Sequence, residues 1–150
     1  MLQKNLSRLF ERDLEKLKQE IAAYTNENDL WIIGDGISNS GGNLCLHLVG
    51  NLKHFIGKLL GNSSYERQRD KEFSDKNIPS TELLKAVDET IASVKTTFEN
   101  LHDDELEKIF PIKVFENEMT TESFLLHLYG HLNYHLGQIN YHRRLLNKQK

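Results

Sequence analysis

The chain has one cysteine (Cys45), two prolines (Pro79 and Pro111), one tryptophan and no long apolar run. Each scarcity excludes something. A lone cysteine rules out an internal disulfide, and the reading that follows is a reducing, cytoplasmic location. A membrane helix needs about 20 consecutive apolar residues, and none are present. The stretch from Met1 to Glu20 is charged throughout and lacks the apolar core of a signal peptide. Lysine and arginine number 19 against 22 aspartates and glutamates, giving a formal net charge of −3 with no basic block. That argues against nucleic acid as a main partner, because phosphate binding requires a concentrated positive patch. No segment alternates apolar and polar residues long enough to predict a half-buried strand. The glycines from Gly34 to Gly42 are not followed by Gly-Lys-Ser/Thr, so this stretch is not a phosphate-binding P-loop.

What remains is helical. A chain of 150 residues suits one domain, residues 1–150. Four segments carry apolar residues at three-and-four spacing. Residues 2–24 present Leu2, Leu6, Leu9, Phe10, Leu14, Leu17 and Ile21, and residues 43–60 present Leu44, Leu48, Leu52, Phe55 and Leu59. Residues 81–100 present Leu83, Leu84, Val87, Ile91, Val94 and Phe98, and residues 121–146 present Leu125, Leu128, Leu132, Leu136 and Ile139. Asn39 or Ser40, Ser80 or Thr81, and Thr120 or Thr121 are the expected starts of the last three. Asp13 and Glu20 read as solvated carboxylates rather than ligands. The stretch from Thr25 to Gly42 has two readings. It is a connecting loop whose Trp31, Ile32 and Ile33 tuck over the core, or a rim that feeds a pocket beside the next helix. Residues 61–80 read as a long crossover loop, with Arg67 and Arg69 available to an anionic substrate group. The pattern predicts an all-α fold, a four-helix bundle.

The histidines carry the chemistry. His131 and His135 are four residues apart, so a helix places both imidazoles on one face, one turn apart. Two neutral imidazoles so placed can share a divalent ion. His127, Gln138 and His142 extend the same stripe, and four histidines in line are hard to explain as core filler. His47, Asn51 and His54 form a second stripe on the preceding helix. His47 is the candidate third ligand, while His127 and His142 are expected to find ordinary hydrogen-bond partners. His102, set among acidic residues, is expected to be exposed. Gly50 and Gly57 are costly inside a helix relative to alanine, and close helix packing is one reason to keep them. Cys45 falls about 160° around the helix from His47, so it is expected to be a buried structural thiol and not a nucleophile. Three imidazoles leave open metal positions, the catalytic rather than the structural pattern. Imidazole suits zinc, nickel, copper or iron.

The segments NSGGNLCLHLVGNLKHFIG, RDKEF and HLNYHLGQI resemble the signatures of the DinB-like superfamily, nearest to a subfamily of small bacterial proteins. The resemblance covers most of the chain. It implies an up-down-down-up four-helix bundle, a homodimer, and a metal site built from His47, His131 and His135, with zinc or nickel favoured. The wider superfamily includes metal-dependent enzymes that use low-molecular-weight thiols, such as mycothiol-dependent isomerase and bacillithiol transferase. The implied function is therefore transfer of a small thiol to a small electrophilic substrate. Two positions depart from the pattern. His54 stands where a larger polar or aromatic residue is expected, and His127 adds a histidine one turn before the usual pair; either is an alternative ligand. Asn51 and Gln138, each about one turn beyond a ligand, are expected on the open side as pocket or supporting contacts. Two other readings stay open. One is metal-assisted hydrolysis, which requires a carboxylate base and finds no HExxH motif here. The other is a non-enzymatic metal-binding or stress-response module.

Overall fold

Three of the four apolar stripes fold close to where their spacing puts them. The computed structural model describes residues 1–147. Helix α1 (Leu2–Ala22) buries Leu6, Phe10, Leu14, Leu17 and Ile21. Helix α4 (Ser80–Asn100) buries Leu83, Val87, Val94 and Phe98. Helix α6 (Thr121–Leu146) buries Leu125, Leu128, Leu132, Leu136 and Ile139. These faces meet in one apolar core, with α1 packed chiefly against α4 and α6. The chain is all-α: among the described residues the only β pairing is an isolated bridge between Ile109 and Thr120. No described helix is long and apolar enough to cross a membrane.

The second stripe departs from a single helix. Helix α2 spans Gly41–Leu52, and a π-helical segment, Lys53–Lys58, continues it. There the Leu59 N–H donates to the His54 carbonyl, five residues back. At Gly57 a Cβ would strike the Ser93 hydroxyl of α4, so glycine admits α4 at this point. Insertions of this kind inside helices recur at functional sites. Ser40 caps α2 by accepting the Asn43 N–H. Helix α2 packs against α4 and α6.

The crossover is not all loop. It contains a short helix, α3 (Arg69–Ser74), docked on α2. The Asn43 side-chain amide fixes it by donating to the Glu72 and Asp75 carbonyls at 3.0 and 2.9 Å. Another short helix, α5 (Asp103–Leu106), follows α4. Pro79, not Ser80 or Thr81, occupies the capping position of α4, and the Glu27 carboxylate accepts the Ser80 N–H from across the fold. Thr120 caps α6. In the Thr25–Gly42 stretch, Leu30 is buried in a 3₁₀ turn (Glu27–Trp31) and Trp31 lies against Gly42, while Ile32 and Ile33 are exposed.

Asp13 corrects the expectation of a solvated carboxylate. It lies on the buried stripe of α1 and is 0% exposed. Arg12 Nε donates to it at 2.9 Å and Asn133 Nδ2 at 3.1 Å, and the Tyr129 hydroxyl also donates. Burial pushes its pKa up, but the hydrogen bonds from Arg12, Tyr129 and Asn133 outweigh burial and hold the carboxyl at about 2. A depressed folded-state value contributes stability that is complete above the ordinary carboxylate range and is lost as pH falls toward 2. The contribution is about 2 kcal/mol. Asp13→Asn should lower stability near neutrality by about that amount and flatten the loss between pH 4 and pH 2. Urea unfolding across that range tests it; an unchanged pH slope in the variant would refute it. Glu20 is likewise engaged, accepting from Asn140 and Arg143 of α6 at 2.7 and 2.6 Å.

Cys45 is fully buried, and burial pushes its thiol up to about 12. A neutral, enclosed thiol is a poor nucleophile. Native protein should therefore leave a disulfide reagent unreacted over the time in which urea-unfolded protein is fully labelled. Rapid labelling without unfolding would show that the thiol is accessible.

Candidate metal centre

His47 projects from α2 toward the stripe of α6 that carries His131 and His135. One ring nitrogen from each of the three lies within 4.8 Å of the other two. The Nε2 atoms of His47 and His131 are 3.1 Å apart. Two ligand nitrogens of one ion, each at about 2.0–2.1 Å, stand roughly 3–4 Å apart, so the separation suits a shared cation. The three histidines could hold a metal ion, and they come from two helices packed face to face.

The opposite ring nitrogens decide which lone pairs are offered. His47 Nδ1 is 3.0 Å from Glu72 Oε1. Burial opposes ionisation of Glu72, but hydrogen bonds from His47 and Arg67 and the Arg67 charge hold its pKa below the ordinary value. An ionised carboxylate only accepts. His47 Nδ1 therefore carries the proton, which leaves Nε2 as the nitrogen that faces His131 and can offer a lone pair. His135 Nδ1 makes the same kind of contact with Gln138 Oε1 at 2.7 Å, freeing its Nε2. Such outer partners orient metal-binding imidazoles and raise their basicity.

His131 has no such partner. Its Nδ1 is buried without a hydrogen bond. If its Nε2 donates to His47, the Nδ1 lone pair is idle; if Nδ1 carries the proton, two lone pairs face each other at 3.1 Å. The second arrangement is the one a cation satisfies. Burial, reinforced by His135, His47, His127 and Arg67, pushes the His131 pKa down to about 4. Burial also lowers His135, against the opposing hydrogen bond from Gln138. The His131 ring is thus neutral, and able to act as a ligand, at physiological pH.

The other candidates separate cleanly. His142 Nε2 donates to the Ile32 carbonyl at 2.8 Å, and its Nδ1 accepts the Tyr24 hydroxyl at 2.6 Å. Both nitrogens are spent on structure. His127 is exposed, stacked on Phe124 and edge-on to Phe115, with its ring 6.4 Å from that of His131. His54 is half-buried with Nδ1 unpartnered, and Asn51 is buried with Oδ1 unpartnered. Neither His54 nor His127 joins the cluster of three. His102 is exposed.

Glu72 is the residue that sequence reasoning missed, while Gly50, whose cost inside a helix pointed to close packing, is what admits it. Arg67 grips Glu72 through Nε and Nη2 at 2.9 and 3.0 Å, so Arg67 neutralises the carboxylate that orients His47. A Cβ at Gly50 would fall on that carboxylate. Gly50 is thus the gap through which α3 delivers Glu72 to His47. Two signals were available: a glycine inside a helix one turn from a histidine, and the place of Glu72 in RDKEF, a segment of the resemblance to which no site role was given.

The family model described as "Protein of unknown function (DUF1572)" matches residues 2–150. No curated protein matches the chain.

Proposed function

The chain belongs to the DUF1572 family, and from its own residues we propose that it is a divalent-metal-dependent enzyme of the DinB-like superfamily, working as a thiol S-transferase. The observation that carries the reading is the convergence of His47, His131 and His135, with Glu72 and Gln138 fixing two of the rings from behind. Zinc or nickel suits an all-imidazole set. In this reading α1, α2 with its π-helical extension, α4 and α6 are the four helices of an up-down-down-up bundle. The protein is a homodimer, for which the exposed Tyr134, Tyr141 and Leu145 on the outer side of α6 offer apolar surface.

When bound, the ion supplies a Lewis-acidic centre that favours the thiolate form of a small thiol. The chain's residues supply the rest. Glu72 holds His47 in one tautomer, and Arg67 keeps Glu72 anionic and in place. His131 and His135 remain partly exposed, so in this reading the centre opens to solvent on the α6 side. His127 and Phe115 border that side and offer an apolar surface to an electrophile. Hydrolysis has less support, because the carboxylate at the site has both oxygens engaged by His47 and Arg67 and is not free to act as a base.

The test is protein purified without a histidine tag, assayed for metal and then for conjugation of cysteine-type thiols to a fluorogenic alkyl halide. One equivalent of metal and metal-dependent conjugation are expected. Stoichiometric metal without conjugation across the thiol panel would leave a binding module. No metal retention or uptake would remove the basis of the proposal.

A further inference from the structure

Beyond the three clustered histidines, the stripe on α2 continues with polar atoms that nothing satisfies. Asn51 follows His47 by four residues and His54 follows by three more. Asn51 is only 7% exposed, yet its Oδ1 has no hydrogen-bond partner among the described residues, and neither has the buried Nδ1 of His54. Buried polar groups are normally paired, so two orphans along one face need an explanation. Arg67 stands near the His54 end of this face. Its guanidinium lies 5.7 Å from the centre of the Phe55 ring, which in turn packs on the His54 ring at 4.9 Å. Nε and Nη2 are taken by Glu72, while Nη1 makes no hydrogen bond among the described residues.

We propose that Asn51, His54 and the free edge of Arg67 form a binding site for a small organic acid that carries a hydrogen-bond donor beside its carboxylate, such as an N-acylated amino acid. The planar guanidinium edge matches a carboxylate. The Asn51 Oδ1 acceptor requires a donor, which the acylamino N–H supplies, and His54 Nδ1 meets a second polar group. A phosphate monoester dianion fits less well: its phosphate offers only acceptors to Asn51 Oδ1 and brings more negative charge toward Glu72. The Phe55 ring forms an apolar wall beside the site. Asn51 lies one turn from His47, so the site adjoins the histidine centre. Assigning that acid as a cosubstrate rests on the metal-enzyme reading; its binding does not.

The experiment is an NMR titration of the full-length protein, metal-free and zinc-loaded, with N-acetyl-L-serine, which has no thiol. N-acetylethanolamine, which lacks the carboxylate, and acetate, which lacks the donor, are the comparison ligands. Saturable shifts of the Asn51 side-chain amide, the His54 ring and the Arg67 guanidinium are expected with N-acetyl-L-serine. Both comparison ligands should bind at least about tenfold more weakly, the loss of one hydrogen bond to a charged or buried group. Asn51→Leu should weaken N-acetyl-L-serine by a similar factor while zinc uptake is retained, and His54→Phe serves if the first variant does not fold. The proposal is overturned if zinc binds but N-acetyl-L-serine moves none of these signals, if the three ligands bind alike, or if a folded variant binds like the wild type. Shifts with N-acetyl-L-serine in a protein that takes up no zinc would support this site and refute the metal reading.

Discussion

His135→Ala should abolish stoichiometric metal binding, whereas His102→Ala should leave it unchanged. The i, i+4 pair gives two ligands from one rigid helix, so little conformational freedom is lost on binding. Removing His135 leaves His47 and His131, which come from different helices, and strands the Gln138 acceptor. The loss should exceed the roughly 10–100-fold that accompanies removal of an outer partner of a metal ligand. His102 is exposed and stands outside the cluster, so it controls for the mere loss of an imidazole. Metal titration of the two variants with circular dichroism as a fold check decides it. Full-strength binding by His135→Ala would mean that the ligand set is wrong.

Gly50→Ala should weaken the site without touching a ligand. The added methyl would overlap the Glu72 carboxylate. Little around it can yield: Arg67 holds that carboxylate in two places, and Asn43 pins the α3 backbone. Alanine favours a helix over glycine by roughly 0.5–1 kcal/mol, but overpacking costs about 1–3 kcal/mol, so the net change should be destabilising. The larger effect is on His47, which loses the acceptor that fixes its Nδ1 proton. Metal affinity should fall roughly 10–100-fold. Glu72→Gln should do less to His47, since an amide oxygen still accepts from Nδ1, but it removes the charge that Arg67 grips. ¹⁵N NMR of the His47 ring in metal-free protein reads the tautomer directly. Wild-type affinity and an unchanged His47 tautomer in Gly50→Ala would contradict this role for Glu72.

These two residues also show what could be read from the chain and what could not. Apolar spacing anticipates α1, α4 and α6, because each buries one continuous face, and it places α6 at the bounds observed. It cannot distinguish α2 from its π-helical extension, since both keep apolar residues on the same side and the change lies in backbone hydrogen bonding near Gly57. Helix α3 was hidden because its packing rests on the Asn43 amide and one buried carboxylate, not on an apolar stripe. Asp13 was misread for a related reason: two of its partners, Tyr129 and Asn133, lie on α6, far away in sequence. At the site, His131 and His135 were legible because their pairing is local to one helix. His47 came from its motif, and α2 does bring it to them. His142 shares the stripe, yet only the fold reveals that Tyr24 and the Ile32 carbonyl occupy it. Glu72 was illegible because its partner is on another element.

The most direct test of the central claim is an anomalous-difference map from crystals of the untagged protein grown with zinc or nickel. One strong peak per chain is expected, within about 2.0–2.3 Å of a ring nitrogen of each of His47, His131 and His135. A peak placed instead on His54 or His127, or no peak among these rings at saturating metal, would contradict it.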